Sequence, residues 1–347
     1  MRCWLALLAT VPLLCAPDGI ERPPMAVQAG SLLVRPGGFF EIGNITRSTT
    51  TDDDMSSRFG TIPLGNGPMQ ELVSIRRSRV SLKTEMPVRG GFRVSSYMEG
   101  DFMGRAEGQP WRWRQYWGRV EWKGWEVLAG QGWSLLRPNR SGIHSEVELM
   151  NTRVADGGYH VGLLGNRDRQ IRIVWHQKNW QFGLSYERGR DFVPKVVRDS
   201  KKLHLELIGV YGAGKHRGGS VAAVVHATRR IDLVMQAYRA RGGGRDALST
   251  LPTTVAMVSG LAGVEFKLTR KLLLFTYAGQ VAGGRSEGNR AVSEYTAGFT
   301  RDVWSDREKG KTTVSAQFSQ ITRKTWSGGS GQQALAIVSM RHTFGSQ

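Results

Sequence analysis

The chain has 347 residues, with 48 Lys and Arg against 29 Asp and Glu, a formal charge of +19, 44 glycines and 11 tryptophans. Aliphatic and aromatic content of this order excludes a disordered chain, and the glycines lack the every-third-residue spacing of collagen. Both cysteines, Cys3 and Cys15, sit in one N-terminal apolar run, so no disulfide framework or thiolate zinc site can form beyond it.

Met1 and Arg2 give that run a positive start, and Cys3–Ala16 has the length of a secretory core. With Pro12 inside it, the run is too short to span a bilayer as a helix. Residues 1–29 are therefore expected to be a signal peptide with a short N-terminal extension. Residues 30–347 show no linker, repeat or shift in composition and read as one domain.

From about residue 38 onward, short segments alternate apolar and polar with period two. In Phe92–Asp101, Val94 and Met98 oppose Arg93, Ser95, Tyr97, Glu99 and Asp101. In Trp180–Glu187, Trp180, Phe182, Leu184 and Tyr186 oppose Gln181, Gly183, Ser185 and Glu187. Leu203, Leu205 and Leu207 oppose His204 and Glu206; Val264, Phe266 and Leu268 oppose Glu265 and Lys267. Toward the end, Val338, Met340 and His342 oppose Ser339, Arg341 and Thr343, and the strand closes on Phe344.

A soluble sandwich and a membrane barrel both produce such alternation, with opposite faces turned to water. Three features favour the barrel. Aromatic residues stand at the ends of apolar faces: Trp122, Trp125, Trp133, Trp175, Trp180, Tyr186, Tyr211 and Phe344. The polar face carries charge in mid-strand. Connections alternate between tight ones (87–91, 123–124, 269–271) and long polar ones (44–74, 134–168, 282–292).

The expected fold is thus all-β, a transmembrane antiparallel barrel of about sixteen strands. Its segments are 38–47, 76–86, 92–101, 111–122, 124–133, 157–164, 169–176, 180–187, 202–211, 218–228, 230–241, 256–268, 271–281, 293–302, 311–321 and 334–344. Fourteen strands result if 157–164 belongs to the preceding loop and 218–241 holds a single strand. The sixteen-strand assignment makes 177–179 an outer loop and 188–201 a periplasmic turn, which inverts the expected lengths. The long loop 134–168 is placed to fold into the lumen.

No P-loop, dinucleotide fingerprint, GxSxG or HExxH motif is present, and the histidines lack ligand spacing. No enzyme activity, cofactor or metal is expected, and no catalytic residue. His144-Ser145-Glu146 reads as a polar loop, and Asp52-Asp53-Asp54 as a solvated tip. The candidate site is basic. Arg77, Arg79, Lys83 and Arg93 fall on presumed lumen faces, Arg112, Arg114 and Arg119 lie among aromatics, and Arg137 and Arg140 stand in the long loop. Rows of Arg and Lys lower the barrier for anions, and guanidinium matches carboxylate and phosphate oxygens. These cations could instead pair with lipopolysaccharide phosphates or with lumen acids such as Glu85, Glu99 and Asp101. The export signal and the dispersed charge argue against nucleic acid as the partner.

Ser78–Thr84 leading to Glu99-Gly100-Asp101-Phe102, Arg112–Gly118 and Leu128–Ser134 resemble stretches of the DcaP-like porins, within the trimeric porin superfamily, over about residues 76–135. The resemblance implies a homotrimer in the bacterial outer membrane passing small anionic solutes, with Arg79, Arg112 and Arg114 facing the path. Members often carry a coiled coil before the barrel, and residues 17–37 show no heptad. The expected function is passive diffusion of small, preferentially anionic solutes such as carboxylates or phosphate. The alternatives are a barrel that scaffolds an enzyme or adhesin, and a soluble exported β-protein.

Overall fold

The computed structural model describes residues 25–51, 57–104, 109–146, 153–155, 160–188, 190–213, 216–246, 251, 255–285 and 288–345. Most of the expected signal peptide, residues 1–24, and Asp52–Asp54 lie outside them. Among the described residues, sixteen antiparallel strands close into a barrel. They are β1 Leu32–Arg47, β2 Arg79–Val88, β3 Phe92–Asp101, β4 Arg112–Trp122, β5 Trp125–Trp133, β6 Arg167–Gln177, β7 Trp180–Glu187 and β8 Asp191–Asp199. The second half is β9 Leu203–Gly212, β10 Arg217–His226, β11 Ile231–Arg241, β12 Met257–Lys267, β13 Leu272–Gly283, β14 Asn289–Asp306, β15 Gly310–Thr325 and β16 Ser330–Gly345.

Each strand pairs with its sequence neighbours, and β16 closes the ring on β1, Leu335 against Arg47 through Gly345 against Gly37. Two short pieces extend this frame. Val27–Ala29 folds back on Leu32–Val34, and Gln70–Ser74 pairs with the far half of β1, in line with β2. Residues 75–78 interrupt that second strand, so Arg77 lies in a turn and not within the expected strand 76–86.

The total of sixteen hides two compensating errors. The described part of segment 157–164, residues 160–164, is not a strand but a buried piece of the long loop. In its place β8 fills most of the expected turn 188–201 and pairs with both β7 and β9. Residues 178–179 then become a tight turn at the end that holds both termini, and 188–190 a short connection at the opposite end. The inverted lengths disappear. Alternation failed on β8 because Val193 and Val197 face inward beneath the loop while Pro194 and Val196 face outward. The β8–β9 pairing also skips Val193 and Pro194, whose ring lies against Gly209, where there is no side chain to obstruct it.

The faces are sorted as a membrane barrel requires and a soluble sandwich forbids. Outward Ile171 and Phe318 are 61% and 56% exposed, while inward Arg172 and Glu206 are 2% and 0% exposed. Stacked aromatics ring the tight-turn end: Phe92 on Trp122, Trp125 on Trp175, Trp175 on Phe182 and Phe40 on Phe344. Trp133 is a correction. It faces the lumen, where Arg137 lies 4.2 Å from its ring centre and Arg167 5.2 Å.

The described parts of the long loop, residues 134–166, pack inside the barrel. Leu135, Leu136, Ile143, Val161 and Leu164 share an apolar cluster with wall residues Val174, Val193, Val197, Val281 and Val292. Wall carboxylates accept from the loop's main-chain amides: Leu135 N to Glu187 (2.9 Å), Asn139 N to Glu206 (3.0 Å), Gly142 N to Asp199 (2.8 Å) and Val161 N to Glu294 (2.8 Å). Asp199 adjoins the tight turn at 200–202, so the loop descends the whole depth of the lumen. The approach is close at Gly279, where a Cβ would collide with the carbonyl oxygen of Val161.

Candidate functional site

With one side of the lumen occupied by the loop, the open space lies along β1–β5 and the tight-turn end of β10–β16. A cavity of about 780 Å³ there is lined, among the described residues, by nine basic and three acidic side chains. Arg79, Arg153 and Arg341 line its walls, and Arg229, Arg230, Lys267, Arg270, Lys271 and Lys311 gather at its tight-turn mouth; the acids are Glu99, Glu146 and Asp302. The turns after β10 and β12 supply Arg229, Arg230, Arg270 and Lys271, all exposed and without an acidic partner among the described residues.

The nine residues expected from the sequence occupy several different settings. Arg79 lines the cavity, 3.8 Å from Glu99 and stacked over Phe39. Arg77 contacts Glu41 at 3.4 Å and donates to the carbonyl oxygen of Ala155 in the long loop. Lys83 bridges Glu85 (3.2 Å) and Glu146 (3.1 Å). Arg93 is exposed at the tight-turn end, on the face of β3 shared by Ser95 and Glu99.

Arg112 forks onto Asp101 (2.9 and 2.6 Å), and buried Arg114 bridges Glu99 and Asp101 at 2.8 Å each. A register shift between Glu99 and Gly100 against Gln115 and Trp113 explains their orientation. Arg114 is the extra residue of this bulge, so it and Gln115 are both buried on the lumen side. Simple parity cannot predict that. Arg119 donates to Ser95 and lies 3.6 Å from Glu126 and from Glu146. Arg137 stacks on Trp133, and Arg140 forks onto Glu265 at 2.8 and 2.7 Å.

Most of these cations are thus balanced by fixed carboxylates. Lys267, Lys311 and Arg341 are likewise paired, with Asp232, Asp302 and Glu41 at 2.8, 2.7 and 2.6 Å, so among the described residues the unbalanced positive charge sits in the basic turns, which the expected site does not include. The available signal was a basic pair in each of two successive tight turns, Arg229-Arg230 and Arg270-Lys271.

At the other end of the barrel, Asp246 ties the loops together. It accepts from Tyr238 (2.7 Å), lies 2.9 Å from His216 and 3.3 Å from Arg188, and its carbonyl accepts from Gly165 of the long loop at 3.2 Å. Burial alone would raise its carboxyl, but the His216, Tyr238 and Arg188 contacts outweigh burial and hold it below the usual carboxylate range. A carboxyl depressed in the folded state stabilises fully above its unfolded value of about 3.9, and that contribution is lost as pH falls through the folded value. Acidification below about pH 4 is therefore expected to loosen this end, seen as protease nicking of the loops. Asp246→Asn should be nicked to the same extent at neutral and acid pH.

No protein-family model matches the chain, and no curated protein does. Solved structures do. The outer membrane channel DcaP of Acinetobacter baumannii superposes with a TM-score of 0.77 at 14% identity, over 91% of this chain and 99% of that one. An anion-selective porin from Comamonas acidovorans gives 0.63 at 13% identity, over 90% and 100%. A loop-deleted form of OmpT, an outer membrane protein of Vibrio cholerae, gives 0.60 at 10% identity, over 90% and 100%. At such identities the likeness establishes architecture, and the architecture is specific: this chain is a closed sixteen-stranded barrel with the fold of the bacterial outer-membrane porins.

Proposed function

We propose that the chain is a bacterial outer-membrane porin through which small solutes diffuse passively, with preference for anions such as carboxylates or phosphate. The observation that carries this reading is the lumen cavity, lined among the described residues by nine basic and three acidic side chains. A low-dielectric wall around a narrow wet path concentrates the field of such an excess, lowering the barrier for anions and raising it for cations. No bond is made or broken. The resemblance over residues 76–135 extends the reading to a homotrimer, and the outward apolar belt to contact with outer-membrane lipid and lipopolysaccharide.

Purified protein in a planar bilayer under a KCl gradient is expected to conduct with Cl⁻ favoured over K⁺. Cation selectivity would overturn the anion preference. A silent membrane, with hydrolysis of a lipid or peptide, would instead support a barrel that scaffolds an enzyme.

A further inference from the structure

The ion pairs inside the barrel are not held equally. Glu265 takes both nitrogens of Arg140 at 2.8 and 2.7 Å and is completely enclosed. Glu146, on the returning limb of the long loop, is held differently. One carboxylate oxygen lies 3.1 Å from Lys83 Nζ and 3.6 Å from Arg119 Nη2, and it accepts no hydrogen bond of good geometry. Its side chain keeps a fifth of its exposure and lines the cavity. The two cations do not depend on it for position. Lys83 also pairs with Glu85 at 3.2 Å, while Arg119 donates to Ser95 at 3.0 Å and lies 3.6 Å from Glu126. A loosely held carboxylate thus rests on two firmly held cations at the edge of the open path.

We propose that Lys83 and Arg119 form a carboxylate-binding station of the permeation path, and that Glu146 is its tethered occupant, exchanging with carboxylates that pass. The inference rests on the anion-porin reading and adds to it a site, a ligand class and a built-in competitor. Glu146 lies three residues beyond buried Ile143, whose amide donates to Gln181, and a group on so short a tether presents itself at an effective concentration of order millimolar, so free carboxylates bind only by displacing it. Two adjacent cations suit one carboxylate, because each of its oxygens can accept from a charged donor.

The test uses the full-length protein in planar bilayers, with acetate added to a KCl solution and acetamide as the neutral control. Glu146→Gln keeps the shape and removes the charge. Acetate should then reduce the chloride current at about tenfold lower concentration than in the unaltered protein, the tethered competitor being gone. Adding Lys83→Met to that variant should cancel the gain, and acetamide should act on none of the three proteins. If Glu146→Gln changes open conductance but gains no Lys83-dependent sensitivity to acetate, Glu146 merely seats the loop and the inference is wrong. If the unaltered channel prefers cations, the anion-porin reading fails, and this inference fails with it.

Discussion

Replacing Arg229, Arg230, Arg270 and Lys271 together by glutamine is expected to reduce the Cl⁻ over K⁺ permeability ratio on the order of tenfold. A unit charge about 8 Å from a permeating ion contributes roughly 0.5 kcal/mol in water before screening. At an ionic strength of about 0.1 M, screening roughly halves this. Four such charges act with opposite sign on the two ions, so their effects on the ratio add. All four residues are exposed in tight turns, so the barrel itself should not suffer. Heat-modifiable migration on a gel would confirm this while the reversal potential is measured. An unchanged ratio in a folded variant would mean that the turn cations do not set selectivity.

The second large effect is expected at Glu265. This carboxylate accepts from Arg140 twice and from Tyr277 at 2.7 Å, and Arg153 lies 3.8 Å away. Glu265→Gln removes an enclosed carboxylate and leaves the half-buried Arg140 guanidinium without its partner, so the cost falls below the roughly 3–5 kcal/mol of breaking a fully buried pair. The descending limb of the long loop should lose its grip on β12. The expected result is a larger, noisier single-channel conductance and a lower temperature for the heat-induced gel shift. Glu265→Asp, which keeps the charge, should fall between. Wild-type conductance and gel shift in Glu265→Gln would show that the loop is seated without this pair.

Wherever one face of a strand meets lipid and the other meets charge or water, the sequence alone was enough to place it. Trp180–Glu187 and Leu203–Tyr211 read correctly because no apolar neighbour covers the whole of their inner face. On β8 the packed loop makes Val193 and Val197 inward residues, so both faces are apolar and the period of two vanishes. The apolar residues of 160–164 resemble a strand for the converse reason, since they serve the same buried contact from the loop's side. Arg114 was beyond parity because a bulge shifts the register there. Trp133 looked like a girdle residue because only the third dimension brings Arg137 and Arg167 to its ring. The basic mouth was hidden differently. Arg229-Arg230 and Arg270-Lys271 are ordinary solvated turns along the chain, and they converge only because their hairpins are neighbours in the sheet.

The wall acids seize the loop by its peptide nitrogens, groups that every residue but proline possesses. Loop side chains outside the apolar cluster and the Arg140 pair can therefore be exchanged without unfastening it. A designer wishing to retune what this channel admits could rewrite the residues that look into the water and leave the clasp beneath them intact.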